Sequence, residues 1–216
     1  DKPISFAALF SEESGATTIR EIEVPLIQRD YAQGRLASDV SRIRSNLVKA
    51  LWQALRPDAI ERLELDFIYG DVDANGKFIP LDGQQRLTLL FLLHCYITWQ
   101  TGKSPSDQPW AKFSYATRPG ARTFCEFLTT SIPDLSEAPS KWIRDQPHYL
   151  PTWDYDPSIQ SMLVVLDALD QHRPSDIQWE QAWQRLTDHA NPAIGFHLLS
   201  MKASGLADSH YIKMNS

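Results

Sequence analysis

Five consecutive residues, Asp82-Gly83-Gln84-Gln85-Arg86, combine types that could do chemistry together. They lie between a short apolar run ending at Leu81 and a strongly apolar stretch over 84–99. If that stretch is a helix, the Asp82 carboxylate can accept from the free backbone N–H groups of its first turn. Gln85, three residues on, can reach back to the Asp82 N–H as a capping box. Capping leaves Arg86 unexplained, because a cation in the first turn opposes the helix dipole by ~0.3–1 kcal/mol. Gly83 is a poor helix former and lets another group approach the backbone closely. Local conflicts of this kind concentrate at functional sites. Free N–H groups, a glycine and an arginine suit an anion, most simply a phosphate. On these residues alone, a plain cap and an anion-binding turn both stay open.

A second polar group, Gln28-Arg29-Asp30-Tyr31, comes directly after a strand-like segment, with Gly34 and Arg35 following. It reads either as a loop able to hold a polar ligand or as a solvated loop with an Arg29–Asp30 contact. Arg118 can supply another cation or pair with a carboxylate. Thr101-Gly102-Lys103-Ser104 imitates the end of a phosphate-binding P-loop, but the preceding glycine would have to stand at Ile97 and no strand leads into it. Asp71 and Asp73 lack the later ligands of a calcium loop, so Asp73-Ala74-Asn75-Gly76 is a turn.

The elements that must position these residues follow from periodicity. Ser5 can cap a short helix over 6–10. Residues 18–24 alternate Arg20, Glu21 and Glu23 with Ile19, Ile22 and Val24, the pattern of a strand with one buried face, and Pro25 ends it or sets it at an edge. Val40, Ile43, Leu47, Leu51 and Leu55 make a core stripe on a helix over 37–55. Residues 63–71 and 77–81 pair as a hairpin around the 73–76 turn. The helix from Gln84 is apolar on nearly every side, which implies a buried central helix and a rigid first turn. His94 within it is a core histidine. Residues 104–110 form a polar, Pro-containing linker, followed by a strand-like 113–118 and short helices over 120–128 and 139–146. Asp156-Pro157 starts a helix whose core stripe is Ile159, Met162, Leu163, Leu166 and Leu169. Asp176 opens another, with Trp179, Trp183 and Leu186 inward. Strands over 193–202 and 211–214 close the chain. This is an α+β fold: a small mixed sheet with a buried central helix, then a helical C-terminal half.

The 216 residues suit one large domain or a domain with a helical extension. Seven Trp, seven Tyr and nine Phe argue against disorder. A formal net charge of −6 does not support a broadly basic nucleic-acid surface, although it leaves a local basic groove open. Cys95 and Cys125 lie in apolar helical surroundings and read as buried free thiols. The apolar run over 87–97 is too short to span a bilayer, so we expect no membrane association and a cytoplasmic location. The absence of an initiator Met and the ending at Ser216 lead us to expect a fragment of a longer protein.

Asp82-Gly83-Gln84-Gln85-Arg86-Leu87-Thr88 after a strand resembles the signature of the GmrSD restriction-endonuclease N-terminal domain family, placed in the ParB/sulfiredoxin-like superfamily. Val24-Pro25-Leu26-Ile27-Gln28-Arg29-Asp30-Tyr31, with Gln33-Gly34-Arg35, is similar to its first motif. Phe113-Ser114-Tyr115-Ala116-Thr117-Arg118 and Asp156-Pro157-Ser158-Ile159 with Met162-Leu163 resemble two middle motifs. Tyr211-Ile212-Lys213-Met214-Asn215-Ser216 looks like the start of a last one, which in the family runs on into Arg-Gly.

The resemblance implies a ParB-like α/β core over 1–103 carrying the Asp-Gly-Gln-Gln-Arg motif, and a mainly helical extension over 104–216 whose strands return to the core. It implies a nucleotide-dependent sensor module of a bacterial anti-phage system that restricts modified DNA, with an HNH-type nuclease domain following in relatives. Carried over residue by residue, Asp82, Gln84, Gln85 and Arg86 are the catalytic candidates. Gln28, Arg29, Asp30, Tyr31, Gly34, Arg35, Gly83, Arg118, Lys213 and Asn215 are candidates for nucleotide and phosphate binding. Mg²⁺ with a nucleoside triphosphate is the expected cofactor pair, Asp82 is the metal candidate, and an oligomer stays open. Two rival readings remain. The chain can be a non-enzymatic module sensing modified DNA, with the same arginines on DNA phosphate and Tyr31 or Tyr115 near the modified group. Less favoured is a ParB-like nuclease, since Asp30, Asp82 and Asp156 are isolated carboxylates in sequence.

Overall fold

A computed structural model describes residues 2–11, 19–25 and 37–200 of the chain. Among them are five strands and six helices. The strands are β1 (Glu21–Val24), β2 (Leu63–Val72), β3 (Lys77–Asp82), β4 (Phe113–Tyr115) and β5 (Ile194–Ser200). The helices are α1 (Ala37–Ala54), α2 (Gln84–Gln100), α3 (Pro119–Thr130), α4 (Pro139–Arg144), α5 (Pro157–His172) and α6 (Trp179–Thr187). The fold is mixed α+β, as expected.

The strands form one mixed sheet in the order β4-β1-β3-β2-β5. β1 runs parallel to both β3 and β4, β2 and β3 form an antiparallel hairpin, and β5 lies parallel to β2. Both edge strands therefore come from the second half of the chain. The hairpin turn follows from the Asp73 carboxylate, which accepts from the N–H groups of Asn75 at 2.8 Å and Lys77 at 3.0 Å. Those two bonds hold its pKa below the usual aspartate value. Gly76 supplies the left-handed residue at φ +83°.

Period-two alternation sets the faces of the sheet. Ile22 and Val24 of β1, Phe78 of β3, and Phe113 and Tyr115 of β4 are buried. The alternate positions of β1 carry Glu21 and Glu23, each 3.1 Å from the Lys77 ammonium. Every residue of α2 from Leu87 to Trp99 is buried, so the helix is central on all sides. α5 packs against α1, α2, α3 and α4. Its start follows the expected chemistry. The Asp156 carboxylate accepts from Ser158 N–H at 2.8 Å and Ile159 N–H at 3.3 Å, and Pro157 opens the helix.

Three local expectations change. The buried face of α1 is Val48, Leu51 and Trp52, with Leu55 just past its end, while Ile43 is 64% exposed, so the stripe belongs to the C-terminal half of the helix. Asp176 does not cap α6. Its carboxylate meets the Arg56 guanidinium at 2.8 Å, and the position before α6 is Gln178. Residues 104–110 are no bare linker: two 3-10 turns bury Pro105 and Trp110. The strand at 211–214 lies outside the described residues.

Candidate functional site

The start of α2 is built from both strands of the hairpin. β3 ends at Asp82, opposite Tyr69 of β2, and the next residue, Gly83, is the N-cap of α2. Gly83 is buried with φ +83°, a left-handed conformation that costs an L side chain ~1–2 kcal/mol. A Cβ there would lie 2.8 Å from Ile68 Cγ1. The group that approaches this glycine is thus a core side chain of β2, and the close approach seals the turn onto the sheet.

The expected capping box does not form. Among the described residues no side chain hydrogen-bonds the N-terminal turn as a cap. The left-handed Gly83 stands between Asp82 and the first helical residue, so Asp82 is one residue too early to cap. Asp82 is exposed, and among the described residues nothing hydrogen-bonds or ion-pairs its carboxylate. Gln84 instead folds back, its Nε2 donating to the Pro80 carbonyl at 3.0 Å. Gln85 is exposed.

Arg86 has a structural partner that its sequence neighbourhood does not suggest. Its Nη1 donates to the Phe67 carbonyl at 2.5 Å, and its Nη2 lies 3.9 Å from Asp66 Oδ2. Asp66 has φ +65°, and β2 shifts register against β5 between Glu64 and Phe67. Arg86 therefore braces a bulge in β2. A guanidinium has five N–H donors and this one is 34% exposed, so it keeps donors for a ligand.

The two middle motifs converge beside this turn. The Thr88 hydroxyl, on the first turns of α2, donates to the Gln84 carbonyl at 2.9 Å and lies 2.9 Å from the Tyr115 hydroxyl of β4. Arg118, just before α3, sits 3.3 Å from Asp156, the cap of α5. Arg118 thus takes the second of its two expected roles, pairing with a carboxylate. Ser158 and Ser161 of α5 join Gln85, Thr88 and Tyr115 around a recess between α2 and α5. Gln28, Arg29, Asp30, Tyr31, Gly34, Arg35, Lys213 and Asn215 lie outside the described residues.

Sequence reasoning missed the Asp66–Phe67 bulge and the serines of α5. The bulge had a signal. Leu65 and Ile68 are buried three residues apart, where an unbroken strand buries every second residue. The serines sit within an apolar stripe that was sufficient to explain the helix.

Buried groups elsewhere are core. His94 is fully buried among Phe6, Trp110 and Trp183, with Nδ1 2.7 Å from the Leu90 carbonyl, and burial pushes its pKa down to about 4. Cys95 and Cys125 are buried free thiols that burial raises well above the usual range. Among the described residues no three His, Cys, Asp or Glu side chains cluster as metal ligands, and no helix is long and apolar enough to cross a membrane. Compared with protein-family models, with curated proteins and with solved structures, the chain finds no significant match.

Proposed function

We propose that this chain binds a nucleoside triphosphate with Mg²⁺ at the Asp82–Arg86 turn and hydrolyses it, as the N-terminal sensor domain of a modification-dependent restriction protein of the GmrSD type with a ParB/sulfiredoxin-like core. The observation that carries this reading is the start of α2. A 17-residue helix, buried along thirteen consecutive residues, begins at a glycine and, among the described residues, has no side-chain cap. Its first N–H groups and its dipole favour an anion, and its packing fixes their direction. Asp82, Gln85 and Arg86 flank that turn, and the motif they spell carries the family resemblance.

The roles follow from donor chemistry. The N–H groups of the first turn hold phosphate oxygens. Arg86 adds guanidinium donors against charge that grows on the transferred phosphoryl group. Mg²⁺ takes oxygen ligands, commonly one or two carboxylates with substrate phosphates, and bound there it neutralises phosphate charge. The exposed Asp82 carboxylate, unengaged among the described residues, is of the right type to hold it. Gln85, exposed on the first turn, orients the attacking water. Gln28, Arg29, Asp30, Tyr31, Gly34, Arg35, Lys213 and Asn215 complete the site in this reading.

The test is titration calorimetry with ATP, GTP and UTP, with and without Mg²⁺, on the wild type and on Asp82→Asn and Gln85→Ala. Both variants change exposed side chains, so folding is retained. Mg²⁺-dependent binding that Asp82→Asn abolishes supports the reading. No nucleotide binding by folded protein, together with steeply salt-dependent DNA affinity, turns the assignment to DNA sensing.

A further inference from the structure

We propose that the aromatic face of β2, centred on the Phe67 ring, stacks the base of the nucleoside triphosphate bound at the Asp82–Arg86 turn. The proposal rests on the nucleotide reading and adds to it the place where the base sits.

The bulge in β2 decides which way Phe67 faces. Leu65 is buried, and unbroken alternation from it would bury Phe67 and expose Ile68. Asp66, at φ +65°, is the single non-glycine residue with a positive φ among the described residues. The irregularity there reverses the alternation. Ile68 turns into the core against Gly83, and Phe67 turns out, 42% exposed. A strained residue thus sets a large apolar ring in solvent, and neither the strain nor the exposure helps the fold. Strain of this kind collects at ligand clamps.

Two further rings adjoin Phe67. His197 of β5, its partner in register, lies 5.2 Å away between ring centroids, and Tyr69 lies 6.3 Å away. The three make a platform on the sheet face away from Ile68 and Gly83.

The platform is joined directly to the turn. Arg86 donates to the Phe67 carbonyl at 2.5 Å, and Tyr69 stands opposite Asp82 in the hairpin. The guanidinium assigned to phosphate is therefore bonded to the backbone of the platform's central residue. A nucleotide whose phosphates lie on the first turn of α2 has its base over these rings or in solvent. Every base has an apolar π face, and stacking on an aromatic side chain favours the first.

Charge sets which end of the ligand goes where. Glu64 and Asp66 are exposed at the border of the rings, and Glu64 Oε2 lies 3.9 Å from His197 Nε2. Carboxylates accept hydrogen bonds from the ring N–H and amino groups of a base, and they repel phosphate. The phosphates belong at the helix start with Arg86, and the base belongs at the platform. The same two carboxylates disfavour a nucleic-acid strand, which carries a phosphate at every nucleotide.

The test compares Mg²⁺–nucleoside triphosphates (ATP, GTP, CTP and UTP) with Mg²⁺–tripolyphosphate, which has the phosphates and no base, by calorimetry. The proteins are the wild type, Phe67→Ala, which removes the ring from an exposed position, and Phe67→Tyr, which keeps it. Wild type is expected to prefer at least one nucleotide over tripolyphosphate tenfold or more. Phe67→Ala is expected to cut that nucleotide's affinity roughly five- to 150-fold, and Phe67→Tyr to retain it. Tripolyphosphate affinity is expected to be the same in all three. If wild type binds tripolyphosphate as tightly as every nucleotide, or if Phe67→Ala keeps the full preference, the platform does not hold the base, and the turn reading stands. If wild type binds neither ligand, the turn reading and this proposal fall together. Tight binding of a single-stranded oligonucleotide that is lost in Phe67→Ala, with no nucleotide binding, overturns the proposal in favour of a DNA base.

Discussion

Arg86 donates to the carbonyl of Phe67, nineteen residues earlier in the chain, at 2.5 Å. The contact joins the first turn of α2 to a bulge in β2. Gly83 makes a second junction between the same elements by packing on Ile68. Two residues of the Asp-Gly-Gln-Gln-Arg stretch therefore hold the hairpin and the helix in one fixed relation. Rigidity of the turn is thus built by the residues that also present donors there.

Loss of that brace has a measurable cost. Arg86→Ala removes a charged hydrogen bond to a carbonyl, worth about 1–2 kcal/mol once partial exposure is discounted. Urea denaturation of Arg86→Ala and Arg86→Lys reads this directly. The alanine variant is expected to lose the full amount. If it is as stable as wild type, the guanidinium does not brace the bulge.

Gly83→Ala meets two penalties. The left-handed backbone costs an alanine ~1–2 kcal/mol. Its Cβ, 2.8 Å from Ile68 Cγ1, overpacks the junction for a further ~1–3 kcal/mol. A destabilisation of about 2–5 kcal/mol is expected from chemical denaturation. In the double variant with Ile68→Ala, the change caused by Gly83→Ala is expected to shrink toward the backbone part, since only the Cγ1 contact at 2.8 Å is removed. Equal penalties in both backgrounds contradict the packing.

The aspartates before α5 and α6 separate a true cap from an apparent one. Asp156→Ala removes a cap with two N–H bonds and the Arg118 partner, so about 1–2 kcal/mol is expected to be lost. Asp176→Ala removes an exposed ion pair with Arg56, for which ~0.2–1 kcal/mol is the usual range. Thermal melts of the two variants check the order. A larger loss at Asp176 contradicts the assigned caps.

His94 imposes a pH dependence whose sign is fixed by burial. Its pKa falls from 6.5 to about 4 in the folded protein, because desolvation penalises the charged ring. The unfolded chain therefore binds the proton more readily. The contribution is fully present above pH 6.5 and is lost progressively as pH falls from there to about 4, on the order of 3 kcal/mol in total. Urea midpoints at pH 7, 5.5 and 4.5 are expected to fall in the wild type and to fall less in His94→Phe. Parallel curves for the two proteins contradict this origin.

What could be read from the sequence was local. The buried α2 was legible because its apolar residues lie on every side, and the 73–76 turn because Asp73 and Gly76 carry turn chemistry. The start of α5 was legible because Asp156-Pro157 caps and opens a helix within three residues. What misled was also local in form but decided elsewhere. Asp82 and Gln85 have the spacing of a capping box, but the left-handed Gly83, sealed by Ile68, moves the cap along by one residue. Asp176 has the place of a cap, but Arg56, 120 residues away, takes its carboxylate. Ile43 continues the periodic stripe of α1, but the core begins only at Leu47 and Val48. The partners of Arg86 lie on strand β2, and no periodicity within 84–99 points to them.

Calorimetric titration of the folded protein with nucleoside triphosphates, with and without Mg²⁺, in wild type and Asp82→Asn, bears most closely on the proposed site. Mg²⁺-dependent binding to the wild type is expected, and Asp82→Asn is expected to lose it while its melting temperature is unchanged. Binding that is indifferent to both Mg²⁺ and Asp82, or no binding at all by the folded protein, would overturn the assignment.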